Sequence, residues 1–182
     1  MNKSARNRLV LIALIGLFAL PLVIAWILSA SGWHPLNTRS SGTLVSPPRD
    51  VAGLPVNLQG GGRLMWPDPQ YRWTLLALPG AECLSNCLTR LEEVMRMHIT
   101  LGRDAERLRV VYLGPDLPAG FLASHRNLLT GRDVGGALSN ERARGTDALA
   151  LALVDPRGLL MMRYAAGYSA QGLRRDIKKV VY

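Results

Sequence analysis

The sequence predicts an α/β domain preceded by one membrane-spanning helix, and three observations support this fold class. An apolar run occupies residues 9–28 and follows a basic N-terminus. Strand-type apolar runs and amphipathic helical patterns then alternate along the rest of the chain. The only two cysteines, Cys83 and Cys87, lie between the first strong strand pattern and the helical pattern that follows it.

The apolar run has the length and composition of a membrane anchor. Every residue in 9–28 is apolar, Gly or Pro, and about 20 such residues cross a bilayer core. A cleavable signal peptide is the alternative, but its apolar region usually has only about 7 to 15 residues. Since basic residues precede the run, we predict a cytoplasmic tail at 1–8 and an anchor at 9–30. The chain would then be a single-pass protein of the bacterial inner membrane, with its C-terminal domain in the periplasm.

The charge of the chain limits its partners. The formal net charge is +9, and only Lys3, Arg6 and Arg8 of the cations lie before the anchor. The outer domain is therefore basic itself and would attract anionic lipid headgroups or an acidic protein. A domain outside the cytoplasm, without basic residues interleaved with aromatic ones, is not predicted to bind nucleic acid.

The anchor is followed by a segment that predicts a tether. Residues 31–62 are rich in Ser, Gly and Pro and lack a sustained apolar period, apart from one short strand pattern at 54–58. Such composition is typical of a linker. We therefore predict a tether over 31–62 and a single packed domain over 63–182.

The first part of the packed domain predicts a buried strand and a helix. The run Trp73–Leu78 is continuously apolar and ends at Pro79-Gly80, as expected for a strand covered on both faces. Apolar residues then recur with helical spacing at Leu84, Leu88, Leu91 and Met95.

The remaining segments continue the alternation and close with a hairpin and a helix. An Asp-Pro-Arg-Gly sequence with proline at its second position predicts a tight turn at 155–158. The predicted elements are a strand at 108–113, a helix at 121–129, a loop at 130–140, strands at 148–154 and 159–164, and a basic helix at 167–181.

The two cysteines are the candidate functional residues. The positive end of a helix favours thiolate, and a spacing of four residues places two side chains on one helical face. This arrangement suits redox or soft-metal chemistry, and Cys83, nearer the helix start, is the expected nucleophile. The alternatives are a small structural disulfide or two unrelated buried cysteines.

Several motifs together resemble the Sco/SenC family. Residues 41–48, Ser-Gly-Thr-Leu-Val-Ser-Pro-Pro, are similar to N-x-G-x-L-x-x-P-P. The strand led by Trp73 precedes a C-x-x-x-C motif, and residues 153–158 read Leu-Val-Asp-Pro-Arg-Gly. The resemblance implies a thioredoxin-like fold. It also implies a role in delivering copper to the binuclear copper site of cytochrome c oxidase, or in reducing the cysteines of that site.

The chain departs from this family at the third copper ligand. The resemblance implies Cys83 and Cys87 as ligands together with a histidine, but the corresponding position, eight residues before Asp155, is Asp147. A carboxylate is a harder ligand than imidazole and suits copper less well. His34, His98 and His125 are predicted to be ordinary surface or capping histidines. Met95, Met97, Met161 and Met162 are explained by core packing, with thioether ligation of Cu(I) as the alternative.

Two reactions therefore remain open on the same scaffold. The cysteines would either exchange thiols with a disulfide in a partner or bind Cu(I) as a two-thiolate site. The expected partner is a cytochrome c oxidase subunit or another periplasmic thiol protein. The alternatives are a general thiol-disulfide oxidoreductase without an oxidase role and a non-catalytic assembly scaffold that docks through its basic surface.

Overall fold

The computed structural model describes residues 3–30 and 41–181, which belong to two compact units, Met1–Arg39 and Ser40–Tyr182. The described part of the first unit is the helix α1 (Lys3–Ala30). Its segment Leu11–Leu28 has a mean hydropathy of 2.8, none of it is buried, and it is long and apolar enough to cross a membrane. The predicted apolar N-terminal helix is thus confirmed as a helix, and its insertion into a bilayer stays a prediction.

The second unit is built on an eight-stranded mixed sheet. The strands, in chain order, are β1 (Thr43–Asp50), β2 (Val56–Leu58), β3 (Gly62–Arg63), β4 (Trp73–Pro79), β5 (Leu108–Leu113), β6 (Leu128–Asp133), β7 (Leu149–Val154) and β8 (Leu159–Tyr164). They lie side by side in the order β1-β8-β7-β4-β5-β6-β2-β3. The strands β4, β5 and β6 are parallel, whereas β7 and β8 run antiparallel to their neighbours. The predicted α/β class with an antiparallel part is confirmed.

The sheet separates two apolar cores. On one face α2 (Ser85–Ile99), α3 (Ala119–Ser124) and α4 (Ala170–Val181) pack on the sheet. Side chains alternate along a strand, so Leu75 and Ala77 of β4 lie in this first core while Leu76 and Leu78 lie in the second. The second core is closed by residues of the segment 51–66 and by Leu138. Burial on both faces explains why the β4 sequence is continuously apolar.

The sheet extends into the range that the sequence predicts as a tether. The strands β1, β2 and β3 lie within residues 43–63. Strand β1 pairs with β8, β2 pairs with β6, and β3 pairs with β2. The pairing of β1 shifts register between Leu44 and Arg49, a stretch that contains Pro47 and Pro48. Proline has no N–H for a sheet ladder and is accommodated on edge strands and at irregularities. The domain boundaries given above therefore remain predictions, and the compact unit begins at Ser40.

The predicted helix at 121–129 is wrong in its second half. The helix α3 ends at Ser124, and β6 occupies part of the predicted loop at 130–140. Only Leu128 and Gly131 of β6 are buried, which leaves the strand without a clear alternation. A Cβ added at Gly131 would lie 2.5 Å from the carbonyl oxygen of Asn57, so glycine permits the close approach of β2.

Candidate functional site

The two cysteines lie at the junction of β4 and α2. Strand β4 ends at Pro79, Cys83 lies in the connection, and Cys87 lies in the first turn of α2. Their sulfur atoms form a disulfide with an Sγ–Sγ distance of 2.01 Å and a Cα–Cα distance of 5.0 Å. Cys87 is fully buried in the core on the helix side of the sheet, whereas Cys83 is only partly buried at the edge of that core. Cys83 is therefore the more exposed residue of the pair.

The start of α2 is capped from a distant part of the chain. The preceding residue, Leu84, makes no side-chain cap, and the first turn contains no acidic residue. The carboxylate of Asp147, in the loop before β7, accepts hydrogen bonds from three backbone N–H groups instead. These come from Leu84 at 2.7 Å, Asn86 at 2.9 Å and Cys87 at 3.0 Å. The predicted apolar stripe is also wrong at Leu84, which is exposed because it lies before the helix.

The loop before β7 lies directly against the segment that carries the cysteines. The backbone N–H of Gly80 donates to the carbonyl of Ala148 at 3.0 Å, and that of Glu82 donates to Thr146 at 3.0 Å. A Cβ added at Gly80 would lie 1.8 Å from the carbonyl oxygen of Gly145. Glycine at residue 80 therefore permits the two segments to approach closely enough for Asp147 to reach the helix.

The electrostatics of this helix terminus differ from the sequence expectation. Desolvation opposes ionisation of Asp147, but the hydrogen bonds from Cys87, Asn86 and Leu84 outweigh it and hold the pKa of Asp147 below its ordinary value. An anion therefore already occupies the N–H groups at the positive end of α2. The helix consequently offers a second anion, such as a cysteine thiolate, less stabilisation than its position alone suggests.

The histidines that the structure describes lie elsewhere. His98 is buried near the C-terminal end of α2 and not at the surface, and its Nε2 lies 2.7 Å from the carbonyl oxygen of Leu108. The Nδ1 of His125 lies 2.9 Å from the carbonyl oxygen of Phe121, and the two rings stack. His34 lies outside the described residues. Within residues 3–30 and 41–181, no group of three His, Cys, Asp or Glu side chains is arranged to hold a metal ion.

The methionines near the motif are explained by packing. Met95 and Met97 of α2 are buried in the core on the helix side of the sheet, and Met162 of β8 faces the same core. Met161, its neighbour on the strand, is partly buried against that core. These positions match the prediction that core packing explains these four methionines.

A cleft next to the cysteine segment was not indicated by the sequence. Its volume is about 290 Å³, and it is lined by Gly80, Ala81, Gly114, Pro115, Arg132, Asp133 and Arg142. Arg132 forms a 3.0 Å ion pair with Asp116, and the Nη1 of Arg142 donates to the carbonyl of Pro79 at 3.4 Å. Arg132 belongs to the predicted loop at 130–140, and Arg142 lies two residues beyond it. No local pattern in the sequence associates either arginine with the cysteines.

A comparison with protein families identifies the family of the chain. The family described as "Transmembrane-like, thioredoxin-like, C-terminal domain" matches residues 73–181, which is more than half of the chain. The chain belongs to this family. The family's matched region runs from the first residue of β4 to the last residue of α4 and contains both cysteines and Asp147. No curated protein sequence matches the chain.

Several solved structures share the fold of this chain. The apo Sco1 protein of Thermus thermophilus is 18% identical, with a TM-score of 0.56 over 81% of this chain and 99% of its own. Yeast Sco1 with copper bound is 16% identical, with a TM-score of 0.56 over 70% of this chain and 89% of its own. BsSco, described as a Sco-family cytochrome c oxidase assembly protein with a disulfide switch, is 14% identical. Its TM-score is 0.54 over 74% of this chain and 95% of its own. The predicted resemblance to Sco proteins is confirmed, and at these identities it establishes a shared thioredoxin-like fold.

Proposed function

We propose that the chain is a membrane-anchored, Sco-like assembly factor that acts on cytochrome c oxidase by thiol-disulfide exchange through Cys83 and Cys87. The observation that carries the proposal is the disulfide at the start of α2, in which Cys83 is partly exposed and Cys87 is fully buried. This asymmetry suits a pair in which one cysteine attacks and the other resolves.

The reaction balances as an exchange of one disulfide for another. In the reduced protein the Cys83 thiolate attacks a sulfur of a client disulfide, and the other client sulfur leaves as a thiolate that takes up a proton. The thiolate of Cys87 then attacks the sulfur of Cys83, which releases the second client thiol and forms the Cys83–Cys87 disulfide. A dithiol protein outside the cytoplasm must reduce this disulfide before the next cycle.

The oxidase role is supported by the likeness to Sco proteins. BsSco is described as a cytochrome c oxidase assembly protein with a disulfide switch, and the present chain forms its disulfide at a strand-to-helix junction of the same fold. The helix α1 would hold the domain at the outer face of the bacterial inner membrane, near an oxidase subunit or another periplasmic thiol protein as client.

Cu(I) handling is the second candidate function. Yeast Sco1 is described with copper bound, and the reduced Cys83 and Cys87 would offer two soft thiolates to a Cu(I) cargo. The oxygens of Asp147 are directed at the helix N–H groups, so a third ligand from this residue would cost the cap of α2. The donor set therefore fits Cu(I) in a two-thiolate site and fits Cu(II) poorly.

The trapping experiment separates exchange from copper transfer. We expect the Cys87→Ser variant, in cells that assemble the oxidase, to accumulate a mixed disulfide between Cys83 and its client, because the resolving thiol is missing. The matched Cys83→Ser variant should trap nothing, since Cys87 is buried. A copper titration of the reduced full-length protein, beside the double Cys→Ser variant, would measure whether the pair binds one Cu(I).

The outcome also distinguishes the remaining alternatives. A trapped client unrelated to the oxidase would favour a general thiol-disulfide oxidoreductase. Full oxidase assembly in cells that carry both Cys→Ser substitutions would eliminate exchange and Cu(I) transfer together. The chain would then act as a non-catalytic scaffold that docks through its basic surface.

A further inference from the structure

The C-terminal helix α4 presents a basic face to solvent. The basic face consists of four exposed residues, Arg174, Arg175, Lys178 and Lys179. At 100° per residue these four positions fall within one arc of the helix. The opposite side carries Leu173, Ile177 and Val181, which are buried against the sheet.

No acidic side chain of the described residues neutralises the basic face. None of its four cations forms an ion pair within residues 41–181. The only acidic residue of α4, Asp176, is buried on the inner side of the helix. On the neighbouring helix α2, Glu92 pairs with Arg96 and Glu93 pairs with Arg90. An unneutralised cluster of this kind attracts anions.

The chain that leads to the anchor leaves the domain at the same helix. The buried carboxylate of Asp176 accepts hydrogen bonds from the backbone N–H of Ser41 at 2.7 Å and of Gly42 at 3.3 Å. A Cβ added at Gly172 would lie 1.7 Å from the hydroxyl oxygen of Ser41, so the backbone of α4 and Ser41 are in close contact. The inner side of α4 therefore holds Ser41 and Gly42, the first described residues of the second unit.

The length of the connection limits how far Ser41 can lie from the end of α1. Ten residues, 31–40, separate the end of α1 from Ser41. Even a fully extended chain of this length spans no more than about 40 Å. A tethered surface also meets its target at a high effective concentration, so weak contacts suffice.

We propose that the basic face of α4 docks on the anionic phospholipid headgroups of the membrane in which α1 is anchored. The inference rests on the anchoring that is part of the proposed function. A lipid surface is favoured over an acidic protein because ten residues, whose extended length is about 40 Å, limit how far Ser41 can lie from the anchor. Lysine and arginine clusters also bind anionic headgroups without a shaped pocket.

The lysines of the chain allow a direct test in nanodiscs. The sequence contains three lysines, Lys3, Lys178 and Lys179, and two of them belong to the basic face. The full-length protein is incorporated into nanodiscs of phosphatidylcholine alone or of phosphatidylcholine mixed with phosphatidylglycerol, and acetylation of each lysine is followed by mass spectrometry. Lys178 and Lys179 should react roughly fivefold more slowly in the anionic discs. Salt at about 1 M should remove the difference, because the screening length falls to about 3 Å.

Charge variants show whether the basic face itself is responsible. Arg174→Gln with Arg175→Gln keeps both lysines and should abolish most of the lipid-dependent protection. The matched control, Arg63→Gln with Arg126→Gln, removes two exposed cations outside α4 and should leave the protection intact.

Each other result contradicts a defined part of the proposal. Equal reaction rates in both kinds of nanodisc would overturn docking on anionic lipid. Slow reaction in native membranes but not in anionic discs would identify an acidic protein as the partner instead. Failure of the protein to enter nanodiscs would overturn the anchoring, which distinguishes that failure from a failure of docking alone.

Discussion

The backbone N–H of Cys87 donates a 3.0 Å hydrogen bond to the carboxylate of Asp147, a residue 60 positions away in the sequence. The same carboxylate binds the N–H groups of Leu84 and Asn86. The start of the cysteine-bearing helix is thereby tied to the loop before β7. The charge of Asp147 and the redox state of the disulfide should consequently influence each other.

Replacing Asp147 by Asn should make the disulfide easier to reduce. The Oδ1 of asparagine can still accept from the N–H groups of Leu84 and Cys87, so the fold should remain, but the negative charge beside the cysteines is lost. The negative charge disfavours the cysteine thiolates that form on reduction. Its removal stabilises the reduced form, so the reduction potential of the variant should be higher than that of the wild type. Equilibration of the full-length protein with glutathione mixtures measures the change. Glu106→Gln, which neutralises an exposed acid after the far end of α2, is the control and should leave the potential unchanged.

Replacing Asp147 by His should raise the affinity for Cu(II). Imidazole is a better ligand for this ion than carboxylate, and the position lies beside both cysteines. Titration of the reduced wild-type and variant proteins, followed by the copper-thiolate absorption, measures the change. Unchanged Cu(II) binding would contradict the assignment of Asp147 to the third-ligand position. A control with His at Glu106 tests whether an added histidine alone increases copper binding.

Local patterns were sufficient to predict the elements that position the cysteines. The apolar run that became β4 is buried on both faces, and the hairpin of β7 and β8 closes at the predicted Asp-Pro-Arg-Gly turn. In that turn the carboxylate of Asp155 accepts from the N–H groups of Arg157 and Leu159 at 2.9 and 2.7 Å. Such interactions join neighbours in the sequence, so the residue pattern contains them.

The features that the sequence did not predict depend on distant partners. The edge strand β1 contains two prolines and pairs with β8 more than a hundred residues later. The cap of α2 comes from Asp147, and no residue near the helix start signals that a cap is missing. A single sequence carries no record of these pairings, because each is decided by tertiary packing rather than by local propensity.

Replacing Gly80 by Ala should displace the capping loop. The added Cβ would lie 1.8 Å from the carbonyl oxygen of Gly145, a backbone atom that cannot move without its loop. We expect a loss of about 1–3 kcal/mol in the free energy of unfolding, measured by urea denaturation of the full-length protein in detergent. The control, Gly120→Ala, adds a methyl group to α3 with no atom within 4 Å and should be neutral or slightly stabilising. Equal stability of the Gly80→Ala variant and the wild type would contradict the close approach of the two segments.

Replacing Asp68 by Asn should destabilise the domain strongly and change its response to acid. Asp68 is 1% exposed, and its carboxylate forms a 2.6 Å ion pair with Arg109, whose side chain is 9% exposed. Removing one partner leaves a buried charge unpaired, which costs about 3–5 kcal/mol. The exposed pair between Asp116 and Arg132 provides the control, because Asp116→Asn should leave the urea midpoint unchanged.

The acid response of this pair follows from the direction of the pKa shift. Burial tends to raise the pKa of Asp68, but hydrogen bonds from Arg72 and Gln70 and the charge of Arg109 outweigh it and hold the pKa below its ordinary value of 3.8. A carboxyl with a lowered pKa in the folded state stabilises the fold fully above its ordinary pKa, and this contribution is lost as pH falls through the lowered value. The wild type should therefore be more stable than Asp68→Asn at neutral pH, and the difference should shrink only below about pH 4. A difference that stays constant down to the acid unfolding transition would show that ionised Asp68 is not the stabilising form.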